Sequence, residues 1–397
     1  MENGEIMVTA DRINNIAGSP TVQVMDKARK LKAEGLDVVD LSGGDPDFDT
    51  DPRIVEVAIK ALQDGYTHYG PSRGLPDLLE AIADKTETEN GAKYDPKSEI
   101  IVTPGAKLGL YEVSQALLNP GDEVILFDPC WVSYGPCIEL AGAKPVYVSM
   151  NSSTLIEDLK IGLDEKLSSS TKMIFLNSPT NPSGQVWTLE QLQVLAEFSI
   201  NNDLIVFSDE IYEKLIYDDC QHISIAGLPG MVERTLVLNG LSKSHAMTGW
   251  RLGWIAGPKK IMSQMIKIQQ HSATCATTFV QIASVAALRG PQDYTEMMTA
   301  RYMVRRDMLS AGLNAIEGIT CVPPKGTFYA FPDISATGLS GMEFTNQLLE
   351  KELVAVTPGI AFGTGSEGHI RLSFANSDEM LAEAVKRINR FVASIQG

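Results

Sequence analysis

The feature that most constrains the fold is an alternation between short apolar runs and amphipathic stretches. The runs are VVDL (38–41), EIIVT (99–103), EVILF (123–127), PVYV (145–148), KMIFL (172–176), LIVFS (204–208), TLVL (235–238) and LGWIA (252–256). Runs this short and this apolar suit strands covered on both faces. Between them lie helical patterns. RIVEVAIKALQDG (53–65) places Ile54, Val57, Ala58, Ala61 and Leu62 on one stripe and closes at Gly65. LGLYEVSQALLNPGDE (108–123) reads as a helix halted at Asn119-Pro120-Gly121. The alternation predicts an α/β domain with a mainly parallel sheet flanked by helices.

Beyond about residue 290 the texture changes. An arginine-rich helix, YTEMMTARYMVRRDMLSAGLNAI, is followed by short strands (ITCVPP, TFYAFPDI, VAVTPG, HIRLSFA) with one helix, MEFTNQLLEKE, among them. A last amphipathic helix, DEMLAEAVKRINRFVASI, ends the pattern. This predicts a smaller α+β domain of residues 1–47 and 291–397, beside a large α/β domain of residues 48–290. A chain of 397 residues fits two such units better than one core.

Composition narrows the function. The formal net charge of −17 (33 basic, 50 acidic residues) disfavours binding to nucleic acid or anionic membranes. The five cysteines form no CxxC pair and are widely spaced, which argues against a disulfide framework or a zinc site and suits a reducing cytoplasm. The N-terminal MENGEIMVTADRINNIAG lacks the basic start and apolar core of a signal peptide. The apolar runs fall short of the roughly 20 residues a membrane helix needs. A soluble cytoplasmic enzyme without a metal is expected.

Polar residues that follow strands deserve the chemical reading, because ligands of parallel sheets bind at the carboxyl ends of the strands. Gly105 follows EIIVT and opens a helix whose free amides suit a phosphate. Asn181 follows KMIFL, Asp209 follows LIVFS and Lys243 follows TLVL. Taken alone, each has an ordinary reading: a turn asparagine, a helix N-cap, a solvated lysine. Together they converge on one crevice. Lys243 lies in LNGLSKSHAMTGWRLGW, in a turn of small residues with Arg251 eight residues on. A lysine that attacks a carbonyl must lose its proton, which a partly buried site near other cations promotes. Arg251 can grip a phosphate in a bidentate fork. Asp209, just past a buried strand, needs a cationic partner. Arg371, in GHIRLSFA, is either a solvated edge residue or a fork for a carboxylate. No GxGxxG or P-loop accompanies these residues, which disfavours a nicotinamide or nucleotide enzyme.

The motifs NSPTNPSG, SDEIY, LSKSHAMTGWRLGW and HIRLS, in this order and spacing, resemble those of the class I aminotransferases, pyridoxal-phosphate enzymes of fold type I. The resemblance runs from about Ser19 to the last helix. It implies that Lys243 carries the cofactor and moves the substrate proton, and that Asp209 pairs with the pyridine nitrogen. Tyr212 and Asn181 would meet the phenolic oxygen. Arg251, with Gly105, Ala106, Lys107 and Ser242, would surround the phosphate. Trp131 would stack on the ring, Arg371 and Gly44 would hold the substrate carboxylate, and Tyr69 would reach the neighbouring subunit's phosphate in a homodimer. Pro129 and Pro182 are expected to be cis. One departure is Gly240, where many relatives have a phosphate-binding serine; that contact is either missing or supplied by Ser242 or water.

For the substrate, Lys107 resembles the distal-carboxylate reader of a bacterial aspartate aminotransferase subgroup, with Ser19 and Thr21 over the same carboxylate. This implies aspartate or glutamate as donor and a 2-oxo acid such as 2-oxoglutarate, oxaloacetate or pyruvate as acceptor. The stretches HISIAGLPGMVERTLVLNGLSKSHAMTGW and ATGLS…GHIRLS also resemble the arginine–pyruvate transaminase branch. A basic or broad donor therefore stands as the alternative. A β-lyase on the same fold and a non-catalytic aminotransferase-like module are more distant readings.

Overall fold

The computed structural model describes residues 9–14, 16, 18, 20–150 and 154–396, without the side chains of Pro20, Thr21, Gln23 and Gln396. Strand β1 (Val39–Asp40) lies outside the main sheet. Strands β2 (Ile100–Thr103), β3 (Glu123–Asp128), β4 (Lys144–Ser149), β5 (Thr171–Asn177), β6 (Ile205–Asp209), β7 (Thr235–Gly240) and β8 (Gly253–Ala256) form a seven-stranded sheet in the order β2-β8-β7-β6-β5-β3-β4. Only β8 runs against its neighbours, β2 and β7. The other strand pairs are parallel. The expected α/β architecture is therefore present.

Successive side chains of a strand point to opposite faces, and the core divides accordingly. Ile100 and Val102 of β2 join the cluster under helices Pro52–Gln63, Pro76–Asn90 and Thr278–Arg289, while Ile101 joins the opposite cluster with Leu110, Val113 and Met262. Ile125 and Phe127 of β3 pack with Trp187, Leu192 and Leu195, and Val124 and Leu126 face the other way. Each such fully buried aliphatic contributes about 2 kcal/mol relative to exposure.

Two helix ends differ slightly from expectation for local reasons. The helix Ala106–Leu117 stops before Asn119, because the residue preceding Pro120 is kept out of helical geometry. The helix Pro52–Gln63 starts at an N-cap, Asp51, whose carboxylate accepts the Arg53 amide at 2.8 Å.

A second cluster of elements follows residue 293. Helix Asp293–Asn314, β9 (Tyr329–Ala330), helix Gly341–Glu352, β10 (Val354–Ala355), β11 (Thr357–Pro358), β12 (Ile370–Ser373) and helix Asp378–Gln396 share one core. The strands form a β11-β12-β9 sheet and a β1-β10 pair, the latter tying the N-terminal segment to this part. ITCVPP forms no strand; only Thr320 makes an isolated bridge, to Asp333. Among the described residues, no helix is long and apolar enough to cross a membrane.

The site follows from this topology. The carboxyl ends of the parallel strands share one edge of the sheet. The reversal of β8 brings its beginning, and hence Arg251, to that same edge, since Gly253 pairs with both Thr103 and Gly240.

Candidate active site

A cavity of about 400 Å³ opens at this edge, between the sheet and the β9–β12 region. Its walls carry Gly44, Ala106, Lys107, Trp131, Asn181, Asp209, Tyr212, Ser242, Lys243, Arg251 and Arg371. Residues hundreds of positions apart in sequence thus meet as expected.

Asp209 is the last residue of β6 and is buried. Its Oδ2 accepts the Tyr134 hydroxyl at 2.7 Å and its Oδ1 accepts the Ile211 amide at 3.2 Å. Burial pushes its carboxyl up to about 6, against those hydrogen bonds. No arginine, lysine or histidine lies in ion-pair range among the described residues, so this buried carboxylate faces the cavity without a cation. A buried carboxylate is costly in that state and suits a cationic partner brought by a ligand.

Lys243 stands in the turn after β7, and its ammonium donates to the carbonyl of Gly44. Burial holds the amine down at about 8. Asp45 opposes this, and the charges of Arg371, Arg251 and Lys107 reinforce it. A lysine near neutrality can act as nucleophile or proton carrier.

Gly105 adopts φ +85° at the start of the helix Ala106–Leu117. A Cβ there would stand 2.5 Å from Arg251 Nη2, and one on Gly253 would stand 2.5 Å from the Ala106 amide nitrogen. Both glycines thus permit backbone amides and a guanidinium to crowd one point at a helix N-terminus, an arrangement suited to phosphate. Arg251 itself, with φ +53°, donates to the Thr248 carbonyl at 2.9 Å. Gly240 has its own reason: a Cβ would lie 2.9 Å from the Leu252 carbonyl and 3.1 Å from Gly253 Cα, so a serine would be crowded. Ser242, which lines the cavity, is the hydroxyl available there.

Asn181 is fixed by Asn177, whose Oδ1 accepts the Asn181 amide at 2.8 Å and whose Nδ2 donates to the Asp209 carbonyl at 2.9 Å. Arg371 of β12 is buried and donates to Asn181 Oδ1 at 3.0 Å and to the Ser42 carbonyl at 2.9 Å. Its guanidinium lies 4.2 Å from the ring centre of Tyr329 and 4.8 Å from that of Phe362, and its Nε has no partner. Burial lowers its affinity for the proton, yet an arginine stays charged, so an unpaired buried cation faces the cavity. Gly44 is required beneath it, because a Cβ would stand 2.6 Å from the Tyr329 hydroxyl. Lys107 rests its ammonium 4.8 Å from the ring centre of Trp131, and burial lowers its proton affinity too.

These groups fit pyridoxal phosphate: a cation-less carboxylate for the ring nitrogen, an amide-and-arginine cradle for the phosphate, and a low-affinity lysine for the aldehyde. Tyr212 reaches the Tyr329 hydroxyl at 3.2 Å on the cavity wall. The Asp128–Pro129 and Asn181–Pro182 peptides are cis as expected, and Ser178–Pro179 is a third. One expected residue stands apart from the cavity. Tyr69 is 86% exposed and lines a separate open groove with Tyr66, His68 and Phe279. Ser19 and the Thr21 side chain lie outside the described residues, although the helix Pro20–Ala33 places Met25 in the cavity wall.

Sequence reading missed Tyr134, Tyr329, Asp45 and Thr248. Tyr134 carried a faint signal, three residues past Trp131 on a short helix that opens toward the sheet. Tyr329 carried none, since TFYAF reads as plain core.

Residues 36–388 match the family of class I and II aminotransferases. The chain is 44% identical to an aspartate aminotransferase of Pyrococcus abyssi, over 97% of this chain and 98% of the relative. It superposes on the Thermus thermophilus aspartate aminotransferase solved with maleate with a TM-score of 0.91 at 39% identity, covering 97% of this chain and all of the other. The aromatic aminotransferase of Pyrococcus horikoshii is similar at 43% identity and a TM-score of 0.87, covering 93% of this chain and 99% of the other. With its nearly full-length match and a cavity suited to the cofactor, the chain belongs to the class I and II aminotransferases and is a pyridoxal-phosphate-dependent enzyme that transfers an amino group from an amino acid to a 2-oxo acid.

Proposed function

We propose that the amino donor is a dicarboxylic amino acid, aspartate or glutamate, with a 2-oxo acid as acceptor. The observation that carries this reading is that, beside Lys243 and Arg251, which suit the cofactor's aldehyde and phosphate, the cavity holds two more cations, Arg371 and Lys107, with no carboxylate partner among the described residues. A buried guanidinium and a second cation in the same cavity suit a substrate with two carboxylates, because the buried charge remains costly until paired. The Thermus relative was solved with maleate, itself a dicarboxylate. The same charge on Lys107 would repel an arginine side chain, which weighs against a basic donor.

The residue roles form part of this proposal. Lys243 holds the cofactor and carries the proton at the donor's α-carbon. Asp209 keeps the ring nitrogen protonated, steadied by Tyr134. Asn181 and Tyr212 meet the phenolic oxygen, and Trp131 covers the ring. Arg251, Ser242 and the amides of Gly105 and Ala106 hold the phosphate, with Lys107 nearby. Arg371, Asn181 and Gly44 hold the α-carboxylate, while Lys107 and Thr21 read the distal one. The cofactor supplies an electron sink for the α-carbon. Tyr69, exposed in its groove, serves a second copy of the chain, which makes the working form a cytoplasmic homodimer with each site completed by its partner. Residues 48–290 act as the large domain, and residues 1–47 with 291–397 as the small one that carries Arg371.

An aromatic donor is the second reading. Trp131, Met25 and Ile211 give the cavity apolar wall, and a relative of similar identity is an aromatic aminotransferase. Visible absorbance during addition of single donors, without acceptor, separates the readings. Bleaching by aspartate or glutamate at lower concentration than by phenylalanine, and none by arginine, supports the proposal. Preference for phenylalanine replaces it with the second reading, and bleaching by arginine alone overturns both.

A further inference from the structure

Asp128 ends β3 and is buried, but it does not line the cavity. Its Oδ2 accepts the Gly365 amide at 3.1 Å, across 237 positions of sequence, and its Oδ1 has no hydrogen-bond partner among the described residues. Gly363, at φ +147°, is pressed so closely against the carboxylate that a Cβ would collide with Oδ1 and Cγ. A second link runs the other way, from the Cys130 amide to the Phe362 carbonyl at 2.8 Å. The β3 exit and the 359–366 loop are thus clasped together at two points.

Each side of the clasp carries a cavity group. On the β3 side, Trp131 follows Cys130 directly. On the loop side, the buried ring of Phe362 lies 4.8 Å from the Arg371 guanidinium. The loop is also tied to His369, just before β12, whose carbonyl accepts the Gly359 amide at 2.8 Å and whose amide donates to the Ser366 carbonyl at 3.0 Å. The carboxylate of Asp128 is therefore the side-chain link between the sheet edge and the ring that supports Arg371.

We propose that Asp128 is a positioning residue for substrate-carboxylate binding, acting through Gly365, Gly363 and Phe362 on Arg371. The inference rests on the reading of Arg371 as the α-carboxylate clamp. Asp128 sets the loop, the loop sets Phe362, and Phe362 fixes the plane of the guanidinium against which a carboxylate must align. Misalignment of the loop weakens ground-state binding of both substrates, since each carries the same carboxylate, while Lys243, Asp209 and Arg251 lie outside the clasp.

The test compares Asp128→Ala, Asp128→Asn and Arg371→Ala in the holoenzyme, with aspartate and 2-oxoglutarate as probes. KM, kcat, cofactor absorbance and cofactor retention are read for each. Asp128→Ala is expected to raise KM for both probes about tenfold, the scale of one lost positioning hydrogen bond, with kcat within about threefold and the spectrum unchanged. Asp128→Asn keeps an oxygen acceptor for Gly365 and should recover most of the loss. Arg371→Ala should raise KM more than either. An unchanged KM in Arg371→Ala removes the clamp reading and the inference with it. A raised KM there beside an unchanged KM in Asp128→Ala overturns the inference alone. Parallel loss of kcat and cofactor in Asp128→Ala, without a KM bias, makes the residue merely structural and also overturns it. Should Asp128→Ala not fold, Gly363→Ala drives a methyl into the same carboxylate: a KM rise with cofactor retained supports the proposal, and an unchanged KM refutes it.

Discussion

Asp209 and Glu210 are consecutive residues at the end of β6, yet they belong to opposite electrostatic regimes. Asp209 faces the cavity with two hydrogen bonds and no cation. Behind the sheet, Glu210 accepts from Ser208 at 2.8 Å and Ser224 at 2.7 Å, and faces His222 Nε2 at 3.1 Å. Glu213 beside it pairs with Lys85, which also donates to Asn90 at 2.7 Å, while Asn90 donates to Glu213 at 2.9 Å. Burial would push the Glu213 carboxyl up, but Lys85 and His222, with the Asn90 amide, hold it down at about 2. Glu210, Glu213 and His222 are spaced like metal ligands, but Lys85 already supplies the cation. Buried charge that is satisfied within the chain serves the fold. Buried charge left unsatisfied at a cavity serves a ligand.

The contrast can be broken or sharpened experimentally. The largest effect is expected on the cavity side, where Lys243→Ala should lower turnover by about ten-thousand-fold or more, measured as transamination at saturating substrate. Asp209→Asn should lower kcat by about a hundred- to a thousand-fold, because a neutral amide cannot keep the ring nitrogen protonated. On the far side, Glu213→Gln leaves the Lys85 ammonium buried without its main partner and should cost about 3 kcal/mol in denaturant unfolding, with kcat little changed. A large kcat loss in that variant would erase the distinction between the regions.

The pH dependence carries the same sign argument. The folded carboxyl of Glu213 is depressed below its ordinary 4.5, so its stabilising contribution is present above that pH and is lost as pH falls from about 4.5 towards about 2. Acid unfolding of Glu213→Gln should lack that component. Asp209 behaves oppositely: its carboxyl is raised to about 6, so its ionisation at neutral pH opposes folding of the cofactor-free protein. Apoprotein carrying Asp209→Asn should therefore be more stable than wild-type apoprotein at pH 7 by up to about 3 kcal/mol, a gain that fades as pH falls from about 6 to below about 4. Destabilisation at pH 7 would contradict the assignment of Asp209 as a ligand-awaiting charge.

What was legible in the sequence follows from the same physics. Strands buried on both faces read as apolar runs, so the polar residues that end them, Asp209 and Lys243 among them, stood out. Arg251 was legible because LGWIA begins just after it, and the reversal of β8 did the rest. Tyr134 and Tyr329 were not, because an aromatic in the core and an aromatic donating a hydroxyl into a site share one pattern. The contact of Asp128 with Gly363 and Gly365 joins segments distant in sequence, and no periodicity reports it. The two-residue strands β9, β10 and β11 carry too little pattern to bound, and ITCVPP, which makes only the Thr320–Asp333 bridge, shows the same short apolar texture without being a strand.

The proposed chemistry turns on this cavity holding pyridoxal phosphate on Lys243. Borohydride reduction of the purified holoenzyme, followed by peptide mass mapping, tests it directly. One pyridoxyl-modified peptide is expected, carrying its label on Lys243 and absent from Lys243→Ala. A label on Lys107 or another lysine, or no label after saturation with pyridoxal phosphate, would contradict it.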